Sequence, residues 1–253
     1  MREWEFLRKL DKKSLKRDRL LKGKEAFKIY HEVFDRTTLF ALYKLLNRKV
    51  LDEVTGIIST GKEANVFHGL NAAGEGFAIK IYRIATSDFK RKASYLISDP
   101  RFSQIKRDSR SIVFSWAQRE FRNLKILEGV INSPKPFAVE KNVLIMEFLG
   151  EKGLPYPTLK DVGPLNPEKD FKDVLQTMKK MYERELIHAD LSEFNILRGK
   201  NLYYIDFAQA TLISNQNSKG YLLRDVKNVR RYFSRYLKVP ETQEVLKIVK
   251  GEE

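Results

Sequence analysis

The stretch Ile187-His188-Ala189-Asp190-Leu191-Ser192-Glu193-Phe194-Asn195-Ile196-Leu197, followed by Tyr204-Ile205-Asp206-Phe207, decides how the rest of the chain is read. Two carboxylates and a carboxamide stand in fixed order: Asp190, Asn195 five positions later, and Asp206 eleven after that. Moving a phosphoryl group from a nucleotide to a hydroxyl calls for such a set. One Asp takes the hydroxyl proton, the Asn holds a magnesium ion, and the second Asp holds magnesium against the phosphates. The spacing puts Asp190 and Asn195 on a loop after a helix and Asp206 at the close of the next strand. Singly, the fragments are a helix exit and a strand end. In series they aim three polar groups at one pocket.

Upstream lie the parts that would hold the nucleotide. Ser59-Thr60-Gly61-Lys62-Glu63-Ala64-Asn65-Val66 falls on the protein-kinase phosphate-loop template G-x-G-x-x-G-x-V, with Ser59, Gly61 and Ala64 at the glycine positions. Small residues there let backbone N–H groups approach phosphate oxygens, and Val66 would cover the adenine. Gly56 to Glu63 also approaches the Walker A pattern. Glu63, however, lacks the magnesium-binding hydroxyl that ends that pattern, and β-like residues run on through Val66-Phe67 where a helix should open. Phe77-Ala78-Ile79-Lys80 matches the strand carrying the ATP lysine. On a helix near 111–128, Glu120 interrupts the apolar stripe Val113, Trp116, Ala117, Leu124, Leu127. A carboxylate facing the core needs a cation. Lys80 is the natural partner and Arg83 the competitor. Val143 to Leu149 reads as the strand behind the adenine: Met146 backs the ring, and the Glu147 carbonyl and Leu149 N–H bond its edge.

The coarse organisation is helical over 1–48, with Phe27, Tyr30, His31 and Phe34 and then Leu39, Leu42, Tyr43 and Leu46 at helical spacing. Short β-like runs follow over 54–81. Next come a basic polar stretch, the helix carrying Glu120, and two strands turning at Lys141-Asn142. Asn166-Pro167 reads as a cap and first-turn Pro opening a helix with Phe171, Val174, Leu175, Met178 and Met181 inward. A basic amphipathic helix, Leu222 to Leu237, completes the chain. Strands before helices, with the chemistry between them, give a two-lobed α+β architecture. The limits expected are 1–48 for a helical extension, 49–148 for an N-lobe with a flexible insert at 83–110, and 149–253 for a C-lobe.

The 253 residues hold no cysteine, which removes disulfides, thiolate catalysis and Cys-based zinc sites and suits a reducing cytoplasm. No run approaches the roughly 20 apolar residues that span a bilayer, so no membrane role is expected. The net charge is +15 and clustered: residues 2–28 carry 11 Lys or Arg against 5 acids, 83–110 carry 8 against 3, and 219–238 carry 7 against 1. Such faces attract polyanions, RNA among them. Lys12, Lys13, Lys16 and Arg17 form one set; Arg224, Lys227, Arg231 and Arg235, expected outward on the last helix, form another. Ser87, Ser94, Ser98, Ser103 and Ser109 punctuate the insert, where Ser103 and Ser109 are the preferred autophosphorylation positions.

The catalytic-loop string from His188 to Leu197, the Ser59–Val66 loop and Ile205-Asp206-Phe207-Ala208-Gln209 together resemble the RIO family of atypical serine protein kinases. The type-1 branch is the nearest, since a type-2 chain would place a winged-helix domain first. The resemblance covers about residue 50 to the C-terminus. It implies a kinase-like fold with a truncated C-lobe, lacking the activation segment and substrate-binding helices. It also implies ATP-dependent serine phosphorylation with Mg or Mn, and ATP hydrolysis through an aspartyl-phosphate. The family's role is in maturing the small ribosomal subunit, with the pre-ribosomal particle or its rRNA as partner. On this resemblance Asp190 is the proton acceptor and Asp206 the phosphorylated aspartate and, with Asn195, a metal ligand. The chain departs from ordinary kinases at Ser192, where a phosphate-contacting Lys is usual, and at Ala208, where a Gly follows Asp-Phe. Two functions fit: a phosphotransferase acting on serine of an unidentified protein, and an ATPase-driven switch releasing a pre-ribosomal particle.

Overall fold

A computed structural model describes residues 34–84, 93, 95–102 and 108–252. Five strands form one antiparallel sheet: β1 (Glu53–Thr60), β2 (Ala64–Leu70), β3 (Gly76–Tyr82), β4 (Pro136–Glu140) and β5 (Val143–Glu147), in the order β1-β2-β3-β5-β4. Side chains alternate across a strand, and β3 uses both faces. Phe77, Ile79 and Ile81 pack beside Ala41, Leu42 and Leu45 of helix α1 (Arg36–Asn47). Ala78, Lys80 and Tyr82 point the other way, toward helix α2 (Ser109–Leu127). That division puts Lys80 on the inner face. Because residues 64–70 continue as strand, the Walker A geometry, which needs a helix there, is excluded.

The face of α1 differs from the expected one. Its buried residues are Thr38, Ala41, Leu42 and Leu45, while Leu39, Tyr43 and Leu46 are half-buried. The cause is Asn142, whose Nδ2 donates to Thr38 Oγ1 at 2.8 Å from the β4–β5 turn. A satisfied hydroxyl can face the sheet and turn the stripe by one position. Phe27, Tyr30 and His31 lie outside the described residues, as do Lys12, Lys13, Lys16 and Arg17.

Beyond the sheet, hairpin β6 (Gly150–Glu151) and β7 (Leu154–Pro155) leads to the single-turn helix α3 (Leu159–Val162). Helix α4 (Pro167–Glu183) opens as its sequence demands. Asn166 accepts from Lys169 N–H at 3.0 Å, Pro167 fills the first turn, and Phe171, Val174, Leu175, Met178 and Met181 are buried. Two small ribbons carry the loops of the site: β8 (Leu186–Ile187) with β11 (Thr211–Leu212), and β9 (Ile196–Arg198) with β10 (Leu202–Tyr204). Helix α5 (Ser218–Phe233) buries Leu222, Val226, Val229 and Phe233. It is not the last element. Helix α6 (Thr242–Lys250) follows, with a Glu241/Glu244 capping box and Gly251 at φ 71° ending it. Val245 and Val249 of α6 are fully buried in the core shared with α4 and α5.

Two expectations are corrected here. The insert is not uniformly free of the core. Among residues 95–102, Tyr95, Leu96, Asp99 and Phe102 are buried, next to Trp116 and Val113 of α2. A few well-placed aromatics anchor a segment without any sustained apolar period. Ser87, Ser94 and Ser103 fall outside the described residues, and Ser109 is the exposed first residue of α2. Arg224 does not face outward with Lys227, Arg231 and Arg235. It is half-buried and donates to the Ala189 carbonyl.

Candidate active site

The stretch read from the sequence as a phosphate loop forms the tight turn between β1 and β2. Gly61 N–H donates to the Ala64 carbonyl at 3.0 Å, and a Cβ on Gly61 would stand 2.8 Å from that oxygen. Any larger residue would push the loop open, so the close approach requires glycine. Ser59, Gly61 and Val66 line a cavity of about 760 Å³, as do Ala78, Lys80 and the run Met146 to Leu149. That volume suits a nucleotide-sized ligand. Glu147 N–H is taken by the Lys135 carbonyl at 2.8 Å, and the Leu149 carbonyl accepts from Tyr156 at 3.0 Å, which fixes the path of 146–149 along the rim.

On the inner wall, Lys80 Nζ lies 2.8 Å from Glu120 Oε1 and 3.0 Å from Asp206 Oδ1. Lys80, not Arg83, is the partner of Glu120. Burial alone would lower the Lys80 pKa. The Asp206 and Glu120 carboxylates outweigh it and hold the ammonium above its ordinary value, charged at neutral pH. Burial raises Glu120, against the pull of Lys80. Glu120 also accepts from the Tyr82 hydroxyl and, at 3.2 Å, from Phe207 N–H. Asp206 is pushed up by burial and further down by Lys80, so it rests below the usual carboxylate range. Its side chain is 46% exposed, toward the cavity.

Asp190, Asn195 and Asp206 line the same cavity. Asn195 Nδ2 donates to the Asp190 carbonyl at 2.9 Å, and the Asn195 carbonyl accepts from Ile205 N–H at 3.0 Å. The loop is thus stitched to the strand that delivers Asp206. Both turns are bent: Ala189 has φ 63° and Asp206 φ 66°, left-handed values that L-residues seldom adopt. Surrounding bonds must hold them there. Burial drives His188 down to about 4, so it is neutral and donates from Nε2 to the Ile205 carbonyl at 3.1 Å.

Two holding residues escaped the sequence reading. Asp225 on α5 accepts from Ala189 N–H at 2.7 Å and Leu191 N–H at 2.9 Å. Burial lifts Asp225 to about 7 against those two bonds. Asn123 on α2 donates to the Phe207 and Ala210 carbonyls, both at 2.8 Å. Each is a polar residue on a buried helix face, the same signal that exposed Glu120.

The donor set fits a divalent cation. Asn195 spends its Nδ2 on the Asp190 carbonyl, so its Oδ1 is the atom that would meet a cation in the cavity that Asp206 also lines. Two protein oxygens plus phosphate oxygens are the usual holding for magnesium. Among the described residues no cluster of three His, Asp or Glu forms a metal cage by itself. None of their helices is long and apolar enough to cross a membrane.

The RIO domain matches residues 65–245. The chain is 40% identical to the RIO-type serine/threonine-protein kinase Rio1 of Methanocaldococcus jannaschii, over 99% of this chain and 86% of that protein. It is 38% identical to the Haloferax volcanii Rio1, over 92% and 81%. It is also 38% identical to human RIO1, over 81% of this chain but 37% of the human protein. Among solved structures, the Rio2 kinase–ADP/Mg2+–phosphoaspartate complex of Chaetomium thermophilum superposes with a TM-score of 0.63. That match covers 84% of this chain and 66% of the other at 22% identity, a likeness of fold. A kinase-like cavity, its paired lysine and the full-length similarity together place the chain in the RIO family of atypical serine/threonine protein kinases, in the type-1 branch.

Proposed function

We propose that the chain transfers the γ-phosphoryl group of ATP to a serine hydroxyl and also hydrolyses ATP, acting on the maturing small ribosomal subunit in the cytoplasm. The observation that carries the chemistry is the convergence of Lys80–Glu120, Asp190, Asn195 and Asp206 on one cavity. The nucleotide lies between a lobe of residues 49–148 and one of residues 149–253. Val66 and Met146 enclose the adenine, and the Glu147 carbonyl and Leu149 N–H bond its edge. Ser59 and Gly61 approach the phosphates, and Lys80 orients them. In transfer, the serine oxygen bonds to the γ-phosphorus, the bond to the β-phosphate oxygen breaks, ADP leaves, and the hydroxyl proton passes to Asp190. A divalent cation, Mg or Mn, held by Asn195 and Asp206 would neutralise the phosphate charge.

Hydrolysis runs through Asp206 itself. Its carboxylate oxygen takes the γ-phosphoryl group, ADP departs, and water attacks the acyl phosphate, releasing inorganic phosphate and restoring the carboxylate. The phosphoaspartate in the Rio2 complex supports this route. A switch driven by that hydrolysis is favoured by one feature: after Asp206 only the short strand β11 precedes helix α5, which leaves little platform for a peptide. The exposed Lys227 and Arg231 on α5 and Arg235 just beyond its end support an RNA or ribonucleoprotein partner.

The test is a pair of variants. Asp190→Asn should keep Mg-ATP binding, read as a thermal shift, and slow transfer by roughly 10²–10⁴-fold. Asp206→Asn should lose both. Full transfer by Asp190→Asn overturns the assignment. For the partner, binding to small-subunit precursor RNA should weaken steeply with salt and with charge reversal at Lys227, Arg231 and Arg235. Indifference to both removes the basic face from the reading.

A further inference from the structure

Asp190 has a neighbour that none of the roles above employs. Gln209 Nε2 donates to Asp190 Oδ2 at 2.9 Å. Gln209 belongs to the turn that follows Asp206, and that turn is held at several points from α2. Phe207 N–H bonds Glu120 at 3.2 Å, Asn123 clamps the Phe207 and Ala210 carbonyls at 2.8 Å each, and Ala210 N–H closes onto the Phe207 carbonyl at 3.1 Å. Ala208 and Ala210 on either side are buried. The backbone at Gln209 therefore has little freedom, and its carboxamide is delivered to Asp190 by the helix that also carries the partner of Lys80.

The contact comes at a cost to the glutamine. Its Oε1 is buried and finds no hydrogen-bond donor among the described residues. Leaving a buried carbonyl unsatisfied costs about 1–3 kcal/mol. A glutamine placed for its own solvation would turn to water. This one keeps its donor on a carboxylate and its acceptor dry.

We infer that Gln209 is a positioning residue for phosphoryl transfer. It restrains the rotation of the Asp190 carboxylate by donating to Oδ2, and so sets how that carboxylate meets the substrate hydroxyl. The inference rests on the reading of Asp190 as proton acceptor. Lys80, Glu120, Asn123 and Gln209 then form one mechanical unit, in which α2 sets the lysine on one side of the cavity and the base on the other. The chemistry asks for a neutral donor of this length. A glutamate has the shape without the donor, and an asparagine has the donor on a side chain one methylene too short.

The experiment measures transfer from γ-labelled ATP to the protein itself and to dephosphorylated casein, with Kd for Mg-ADP and the melting temperature as controls. Gln209→Ala and Gln209→Glu should each lower kcat by about 10- to 100-fold, a part of what a positioned acid–base group supplies. KM for ATP, Mg-ADP affinity and melting temperature should stay near wild type. Gln209→Glu preserves volume but replaces the N–H by a carboxylate oxygen that also repels Asp190, so positioning holds only if the uncharged Gln209→Ala shows the loss as well, with its melting temperature unchanged. Wild-type turnover in Gln209→Glu overturns the inference. So does an equal further loss when Gln209→Ala is placed in the Asp190→Asn background, since a residue acting through Asp190 has nothing left to position there. If Asp190→Asn alone is fully active, the reading of Asp190 fails first, and that result is separate from either outcome for Gln209.

Discussion

Consecutive residues of α2, Arg119 and Glu120, anchor two buried charge clusters that differ in what closes them. Glu120 meets Lys80 at 2.8 Å, and Lys80 reaches on to Asp206, whose side chain is 46% exposed on the cavity. Arg119 meets Asp99 at 3.3 Å, both side chains at 0% exposure, and Asp99 is also gripped by Arg101 at 2.7 Å. The first cluster is open on one side and the second is sealed. An open cluster can exchange a carboxylate partner for phosphate. A sealed one can only hold segments together. The sealed cluster joins the insert to α2. Arg101 also donates to Asn123 at 2.9 Å, which ties it to the turn after Asp206.

The sealed pair is poorly satisfied. The two Nη groups of Arg119 have no hydrogen-bond acceptor among the described residues, and its guanidinium lies instead over the Tyr95 and Trp116 rings, 5.6 Å from each centroid. Burial pushes Arg119 down to about 10, still charged at neutral pH. Aromatic faces offset part of the desolvation. A buried ion pair seldom adds net stability over apolar residues of the same volume, whereas removing one partner alone is costly. The two clusters should therefore respond differently to the same kinds of substitution.

The largest effect should come from the open cluster. Lys80→Ala and Glu120→Ala should each lower kcat/KM for transfer by about 10²–10³-fold, the scale of losing one preorganised electrostatic group. The double variant should be little worse than either, because both act through one contact. Additive losses in that cycle would separate the pair. Stability loss is next in size. Asp99→Ala should cost about 3–5 kcal/mol in urea unfolding by leaving Arg119 buried and unpaired, while turnover per folded molecule changes far less. A catalytic defect as large as that of Glu120→Ala would show that the clusters do one job.

Replacing both partners sharpens the contrast. Asp99→Leu with Arg119→Met should recover much of the stability lost in Asp99→Ala, since the two fully sealed charges are gone and only Arg101, 19% exposed and still bonded to Asn123, lacks its carboxylate. Lys80→Met with Glu120→Leu should fold comparably and show no transfer. If the sealed cluster's double replacement instead fails to fold cooperatively, its charges specify the docking of 95–102 rather than merely tolerating it.

The two clusters also differed in how far the sequence revealed them. Glu120 announced itself as a carboxylate amid Val113, Trp116, Ala117 and Leu124, and the kinase template supplied Lys80 at a distance. Arg119 interrupts an equally buried row, Ile112, Trp116, Asn123 and Leu127, but its partner Asp99 sits in a segment without periodicity, so no pattern paired them. Asp225 was hidden among Leu222, Val226 and Val229 for a related reason. Its partners are backbone N–H groups of Ala189 and Leu191, which have no sequence signature. The strands, α2, α4 and the loop order were legible because local periodicity and caps agreed with the tertiary packing. Helix α6 had its signals too, a capping box at Glu241 and Glu244 and the terminal Gly251. They lie beyond the basic helix on which the sequence pattern ends the chain.

The smallest expected effect is on acid stability, and it isolates Asp99. Burial would raise this carboxyl, but the hydrogen bonds and charge of Arg101, with the charge of Arg119, outweigh burial and hold it below the usual carboxylate range. Its folded value is thus depressed relative to the unfolded chain, near 4 for an ordinary Asp. The sign follows from linkage: the stability this group contributes is present above its unfolded value and is lost as pH falls through the folded one. Asp99→Asn keeps the shape and cannot titrate. Its melting temperature should start lower at pH 7, because a neutral amide pairs poorly with two guanidinium groups, and should decline less than wild type between pH 5 and pH 3. The open cluster offers no such simple limb, since Glu120 is raised while Asp206 is lowered, and their contributions run in opposite directions with pH. Parallel acid limbs in wild type and Asp99→Asn would mean that the sealed cluster is not the ionic lock its geometry describes, and that the packing of Tyr95, Phe102 and Trp116 alone holds the insert to α2.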